Sequence, residues 1–253
     1  SGLQNSIIGR EASEERYDFR FRDMLGVLLA SMNRWFLGDS LEAERILLAS
    51  ALPDEAFGYG SSLGPVVLAW MHADRGTLES ARAHALRLVK AGQTRKVLLE
   101  EGRGHWVHGE VLRRLGDFAT ANTELEAAHN MLQMVCTLDL PGVLASIAAL
   151  RHAEGRDAEA LVVAEDALDR YEKIGACSQF FRGAFLRLVH VEILESLGRH
   201  EEACQFVRKA RECILANAQK ITDPDLRRGF LENVPENKAT LELASRWCEN
   251  GPS

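Results

Sequence analysis

From about residue 14 the apolar side chains Phe19, Met24, Leu25, Val27, Leu28, Met32, Trp35 and Phe36 recur at spacings of three and four. That is the period of a helix burying one face. Gly38 closes the stripe, and Ser40 is placed to cap a second helix through Leu41, Ala43, Leu47 and Leu48, which Pro53 ends. The same two stripes around a glycine return over residues 64–92, 99–135, 140–174 and 178–219. No alternating run of β-branched residues is long enough for a sheet, so the pattern predicts an all-α chain.

Five short segments carry the recurrence: Gly38-Asp39-Ser40, Gly76-Thr77-Leu78, Gly116-Asp117-Phe118, Gly155-Arg156-Asp157 and Gly198-Arg199-His200. Each glycine is followed five residues later by alanine (Ala43, Ala81, Ala121, Ala160, Ala203), and successive glycines lie 38, 40, 39 and 43 residues apart. A period of roughly 20–50 residues built from paired helices is the mark of an α-solenoid, whose units pack only on their neighbours. Small residues also sit at matching heights: Gly109, Gly116, Ala121 and Ala128 in the third unit, Ala69, Gly76 and Ala81 in the second, Ala148, Gly155, Ala160 and Ala167 in the fourth. Such positions let two antiparallel helices approach closely, while the glycine supplies the positive φ that ends the first of them.

The tail has its own signals. Thr222 or Asp223 can cap a helix with Pro224 in its first turn. Asn233 can cap the next one, with Pro235 in the first turn and Glu236 completing a capping box. Two such helices would cover the open apolar end of an array.

These positions resemble the tetratricopeptide repeat, matched in the third unit by Gly109, Gly116, Phe118, Ala121 and Ala128. The early Trp of that repeat is His105 here, its terminal Pro is missing, and the period exceeds the usual ~34 residues. The stretch Ala56-Phe57-Gly58-Tyr59-Gly60, followed by Val67-Leu68-Ala69-Trp70 and Arg75-Gly76, resembles the repeat region of bacterial signal-transduction ATPases. The tail from Asp223 to Asn237 resembles the end of the same regions, which accompany nucleotide cyclases, serine/threonine kinases and response regulators. The resemblance implies a right-handed α-solenoid of about five antiparallel helix pairs over residues 13–219. Residues 1–12 are then a linker or tag remnant and residues 220–253 a helical C-terminal cap. The start, Ser1-Gly2 without Met, reads as a cloning remnant, and the chain as a piece of a longer regulator.

Composition narrows the function. Of 253 residues, 46% are hydrophobic, enough for a continuous core, and the net charge is −7. Basic residues are interleaved with acids, as in Arg20, Arg22, Asp23 and Arg208, Lys209, Arg211, Glu212, which argues against direct nucleic-acid binding. Cys136, Cys177, Cys204, Cys213 and Cys248 form no Cys-x-x-Cys pair, a usage that fits reduced thiols in the cytoplasm. No stretch approaches the ~20 apolar residues of a membrane span.

Catalytic patterns are absent from the sequence. Gly58 to Gly64 is glycine-rich but fits no phosphate-binding fingerprint. His105 and His108, with Glu100, Glu101 and Glu110 nearby, could begin a metal site, yet packing of the inward-facing His108 against the partner helix is the better account. No cofactor is expected. The tryptophans say more, because Trp35, Trp70 and Trp106 fall on the first helix of successive units, the helix that lines the concave face of tetratricopeptide arrays. With that phase carried over, Met32, Trp35, Val66, Trp70, Arg103, Trp106, Glu110, Arg113, His152, Phe185 and Glu192 border one groove. Aromatic core packing is the competing explanation for them. The expectation is a non-catalytic regulatory solenoid that binds a protein or peptide partner, a neighbouring domain of the same chain, or a small effector. The alternatives are a stand-alone scaffold or adaptor that binds peptides or forms a homodimer and, third, a metal-dependent enzyme.

Overall fold

The computed structural model describes residues 25–49, 63–175 and 183–248, and every regular element among them is helical. A first helix α1 runs through 25–36. After it come α2 (Ser40–Ala49), α3 (Leu63–Asp74), α4 (Leu78–Arg95), α5 (Leu98–Leu115) and α6 (Phe118–Val135). A 3-10 turn at Thr137–Asp139 leads to α7 (Leu140–Ala153), α8 (Asp157–Lys173), α9 (Gly183–Ser196) and α10 (His200–Gln219). The chain ends in α11 (Pro224–Glu232) and α12 (Pro235–Cys248). Residues 1–12, Phe19, Met24, Pro53, Cys177 and the glycine-rich stretch through residue 62 lie outside the described residues.

All five predicted glycines end a helix in the same way. Their φ values are +80, +75, +85, +75 and +73° at Gly38, Gly76, Gly116, Gly155 and Gly198. In each turn the glycine N–H donates to the carbonyl three residues back and the next N–H to the carbonyl five back, as in Gly116→Arg113 and Asp117→Leu112. This is the Schellman closure, which satisfies carbonyls that the helix end leaves open. The paired alanines are equally regular: Ala43, Ala81, Ala121, Ala160 and Ala203 are all fully buried. Their burial brings the second helix of each pair onto the first. A Cβ at Gly109 would lie 2.7 Å from Leu125 Cγ, so α5 and α6 meet where the sequence places only a hydrogen.

Two capping assignments need correction. Asp39, not Ser40, caps α2: its Oδ1 accepts from the Glu42 N–H at 3.3 Å and its carbonyl from Ala43. A carboxylate one residue earlier reaches the free N–H that the Ser40 hydroxyl was expected to take. Asn233 does not head α12 but ends α11, where its N–H donates to the Gly229 carbonyl. The α12 ladder begins instead with Lys238 N–H donating to the Val234 carbonyl. Asp223 does cap α11, accepting from the N–H groups of Asp225 and Leu226.

Successive helices pack on one another along the chain, and one buried cluster runs from Leu28 on α1 to Leu186 on α9. Side-chain bonds cross it at about one sequence period. Trp35 Nε1 donates to Asp74 Oδ2 at 2.8 Å across 39 residues, and Trp106 Nε1 to Ser146 Oγ at 3.0 Å across 40. The body of α12 is fixed separately, by Leu243, Ala244 and Trp247 against Val191, Phe206 and Val207 of α9 and α10. The two ends then meet: α11 lies against the Leu37–Gly38 turn, and Asn233 Nδ2 donates to the Gly38 carbonyl at 3.2 Å.

Candidate functional site

The odd-numbered helices α1 to α9 face a common interior. Trp35 comes from α1, Trp70 from α3, Trp106 and Arg114 from α5, Gly142, Ala145 and Ser146 from α7, and Phe185 and Leu186 from α9. Together with Glu236, at the head of α12, they line a cavity of about 30 Å³. Trp70 and Trp106 meet edge to face, centroids 5.3 Å apart at 71°. Gly142 and Ala145 present no bulk on α7, which leaves room for the aromatic rings from four other helices. The tryptophans are buried, Trp70 being the most exposed of the three at 9%.

A chain of charges underlies this wall. Glu110 is fully buried on α5. It accepts two bonds from Arg113, at 2.9 and 2.7 Å, and one from Arg114 Nε at 2.8 Å. Burial by itself would push the Glu110 carboxyl up, but the two guanidiniums overcome it and hold it at about 2. Arg114 also donates to the Ala73 carbonyl at 3.0 Å and stands 3.9 Å from Asp74, the acceptor of the Trp35 indole. The rings of the wall are thereby keyed to a fixed set of charges across α1, α3 and α5. On the far flank stands Glu192, exposed to solvent and within reach of the charges of His152 and Arg113.

Four of the predicted groove residues, Trp35, Trp70, Trp106 and Phe185, line the one cavity. Met32 and Val66 are buried in the core cluster beside it. Glu110 and Arg113 form the ion pair beneath it, and His152 and Glu192 its polar flank. Arg103 is placed elsewhere, its Nε 2.7 Å from Asp139 in a buried pair that ties α5 to the 3-10 turn. His152 bonds Asp157, which also accepts from Ser196 Oγ at 2.5 Å. The carboxylate stands in the middle of this trio, which is not the serine–histidine–carboxylate order of a nucleophile relay.

Arg114, Ser146 and Asp74 escaped the sequence reading, which took Glu236 only for part of a helix cap. The signal for two of them was present, since Asp74 and Ser146 each lie one period after the tryptophan they bond. Arg114 follows Glu110 by four residues, the spacing of a helical ion pair. Glu236 carried no signal for the cavity, because it arrives there only through the packing of α12 on α9 and α10.

His105 and His108 both turn to one carboxylate, Glu124 on α6, at 2.6 and 3.1 Å. Burial would raise that carboxyl, and the two imidazoles bring it down to about 2. Among the described residues no group of three or more His, Cys, Asp or Glu is arranged to hold a metal ion. Nor is any described helix long and apolar enough to cross a membrane. Cys204 Sγ donates to the Trp247 carbonyl at 3.4 Å, and Cys136 and Cys213 are free thiols. A second, larger cavity of about 420 Å³ lies at the seam of the ends, between Trp35, Phe36, Asp39 and Asp74 on one side and Asn233, Val234 and Pro235 on the other. No protein-family model matches the chain, and no curated protein matches it either.

Proposed function

We propose that the chain is a right-handed α-solenoid of about five helix pairs that serves a larger bacterial signalling protein as its non-catalytic regulatory part. Its inner, tryptophan-lined face receives a protein or peptide segment, a neighbouring domain or a small effector. The observation that carries this reading is the convergence of the odd-numbered helices α1 to α9 on one aromatic wall, with Arg114 and Glu236 at its edge. Rigid rings beside a few charges are the usual anchors of such a face. Regulation follows by differential binding, the ligand favouring one arrangement of the array and of the domains attached to it.

A thermal-shift screen of the chain against metabolites and candidate neighbouring domains tests it. A ligand that raises the melting temperature of the parent but not of Trp70→Phe is the expected result. Ligands that bind Trp70→Phe and Phe185→Leu as well as the parent would place the interaction elsewhere and defeat the proposal. A second reading, a self-associating scaffold, draws on Met134 and Val135 at the end of α6 and Leu138 in the 3-10 turn after it, all three exposed at that corner. Sedimentation of the parent beside Met134→Glu decides it, because only a dimer built on that corner would dissociate in the variant.

A further inference from the structure

We infer that α11 and the head of α12 form an autoinhibitory clasp, closing the inner tryptophan face by gripping the Leu37–Gly38 turn at the other end of the chain. The inference rests on the proposed function only for what the opened face receives. The closure itself stands on contacts.

At the grip, backbone meets backbone. A Cβ built on Gly229 would come within 2.8 Å of the Leu37 carbonyl oxygen, and one built on Gly38 within 2.2 Å of the Gly229 oxygen. The corresponding turn glycines Gly76, Gly116, Gly155 and Gly198 have nothing within 4 Å of such a Cβ. So Gly38 alone of the five serves both a turn and a docking contact. Asn233 then adds its bond to the Gly38 carbonyl, across 195 residues of sequence.

The grip is built to release. α11 buries no residue but Gly229, and Leu226, Phe230 and Leu231 are only half buried. Asn233 is exposed to solvent. Meanwhile the rest of α12 is held by its apolar anchor on α9 and α10. The described contacts therefore divide the tail into a fixed part and a lightly held one. Asn237 Nδ2 donates to the Phe230 carbonyl at 2.8 Å, which couples α11 to the head of α12, where the buried Glu236 lines the tryptophan cavity. In the closed arrangement Trp35, Trp70 and Trp106 are each at least nine-tenths buried around about 30 Å³ of space. A partner that engages these rings must displace the clasp, and its binding is reduced by the closed fraction.

Quenching of tryptophan fluorescence by acrylamide tests the clasp without any partner. A Trp247→Phe background leaves Trp35, Trp70 and Trp106 as the only reporters among the four tryptophans. Gly229→Ala favours α11 as a helix yet cannot fit against Leu37, so it should open the clasp and raise quenching roughly twofold or more. Gly26→Ala, at a helical glycine with open space around it, is the control and should change nothing. Unaltered quenching in Gly229→Ala, with helical circular dichroism intact, overturns the inference. Should that variant lose its helical signal, Asn233→Ala decides by hydrogen exchange. Faster exchange of α11 together with the 37–39 turn supports the clasp, and unchanged protection of both overturns it. An effector screen that fails while Gly229→Ala opens the face would leave the clasp standing and defeat only the proposed function.

Discussion

Helix α5 buries eleven of its eighteen residues, whereas α11 buries one of nine, and both rely on glycine to do so. In α5 the missing Cβ atoms admit neighbours: a Cβ at Gly104 would lie 2.7 Å from the Val89 backbone N, and one at Gly102 2.9 Å from Leu132 Cγ. The helix is thereby wedged between α4 and α6, with Trp106, Val107 and Val111 filling what remains. In α11 the missing Cβ admits a second backbone, and no apolar side chain is sealed behind it. The same residue type thus builds a core in one place and a docking contact in the other. The difference predicts that injury to α5 costs global stability, while injury to α11 changes arrangement and leaves stability nearly intact.

The largest effect should follow truncation in the α5 wall. Trp106→Ala removes a buried ring and its bond to Ser146, and should cost about 3–5 kcal/mol in urea denaturation. Gly229→Ala should change the same measurement by less than about 1 kcal/mol. A Trp106→Ala cost as small as that would remove the distinction between the two regions.

Next comes Glu110→Gln, which leaves Arg113 and Arg114 without their buried carboxylate and should cost on the order of 3 kcal/mol at neutral pH. The sign of its pH dependence is fixed by the depressed carboxyl. Glu110 titrates at about 2 in the folded chain against 4.5 as its ordinary value. Its stabilisation is therefore complete above about pH 4.5 and is lost as pH falls toward 2, where parent and variant should converge. His190 acts in an earlier window. Burial beside Phe206, together with Arg199 and against the pull of Glu202, lowers its imidazole from 6.5 to about 4. The unfolded chain then takes up the proton first, so the parent loses stability between pH 6.5 and 4, and His190→Leu should gain on it over that interval. A melting curve that shows no change in the gap across either window would contradict the corresponding burial.

A smaller and more pointed contrast lies between two turns of identical backbone. Gly116→Ala should cost only the left-handed strain, about 1–2 kcal/mol, because nothing lies near its Cβ. Gly38→Ala meets the same strain and also pushes Gly229 away, so it alone should raise the acrylamide quenching of the tryptophans. Equal quenching in the two variants would mean that the ends do not hold each other.

These contrasts also show what the linear pattern could and could not reveal. The five turns were legible because a positive φ at a helix end selects glycine almost wherever it occurs, and the alanines because helices in close contact tolerate no larger group. The shared face of the aromatic residues was legible from helical phase, since Trp35, Trp70, Trp106 and Phe185 lie 3, 6, 10 and 13 residues before their turn glycines. Arg103 shared that phase yet pairs with Asp139, because a long charged side chain reaches whichever partner lies within its arc. The closure of the ends was invisible. Gly229 looks like a weak point in a short amphipathic helix, and only the tertiary fold brings Leu37 to it. Asn233 was likewise assigned to the helix after it, when its side chain serves a turn 195 residues away.

One turn was missed for a more local reason, and it gives the smallest prediction. Between α4 and α5 the Lys96 N–H donates to the Gln93 carbonyl and the Val97 N–H to that of Gly92, the same closure as at the five glycines. Lys96 adopts φ +58°, the one non-glycine with positive φ among the described residues. Lysine hides the turn from a search for glycine, and the chain bears the left-handed strain there at an exposed position. Lys96→Gly should therefore stabilise the array, by about 0.5–1 kcal/mol once the greater freedom of glycine in the unfolded chain is set against the relieved strain. Because α5 is wedged on both sides, that gain should appear in global unfolding, with quenching of the tryptophans unchanged. A loss of stability in Lys96→Gly would show that the Lys96 side chain supports the α4–α5 connection, and that this turn differs from the five it copies in more than its residue.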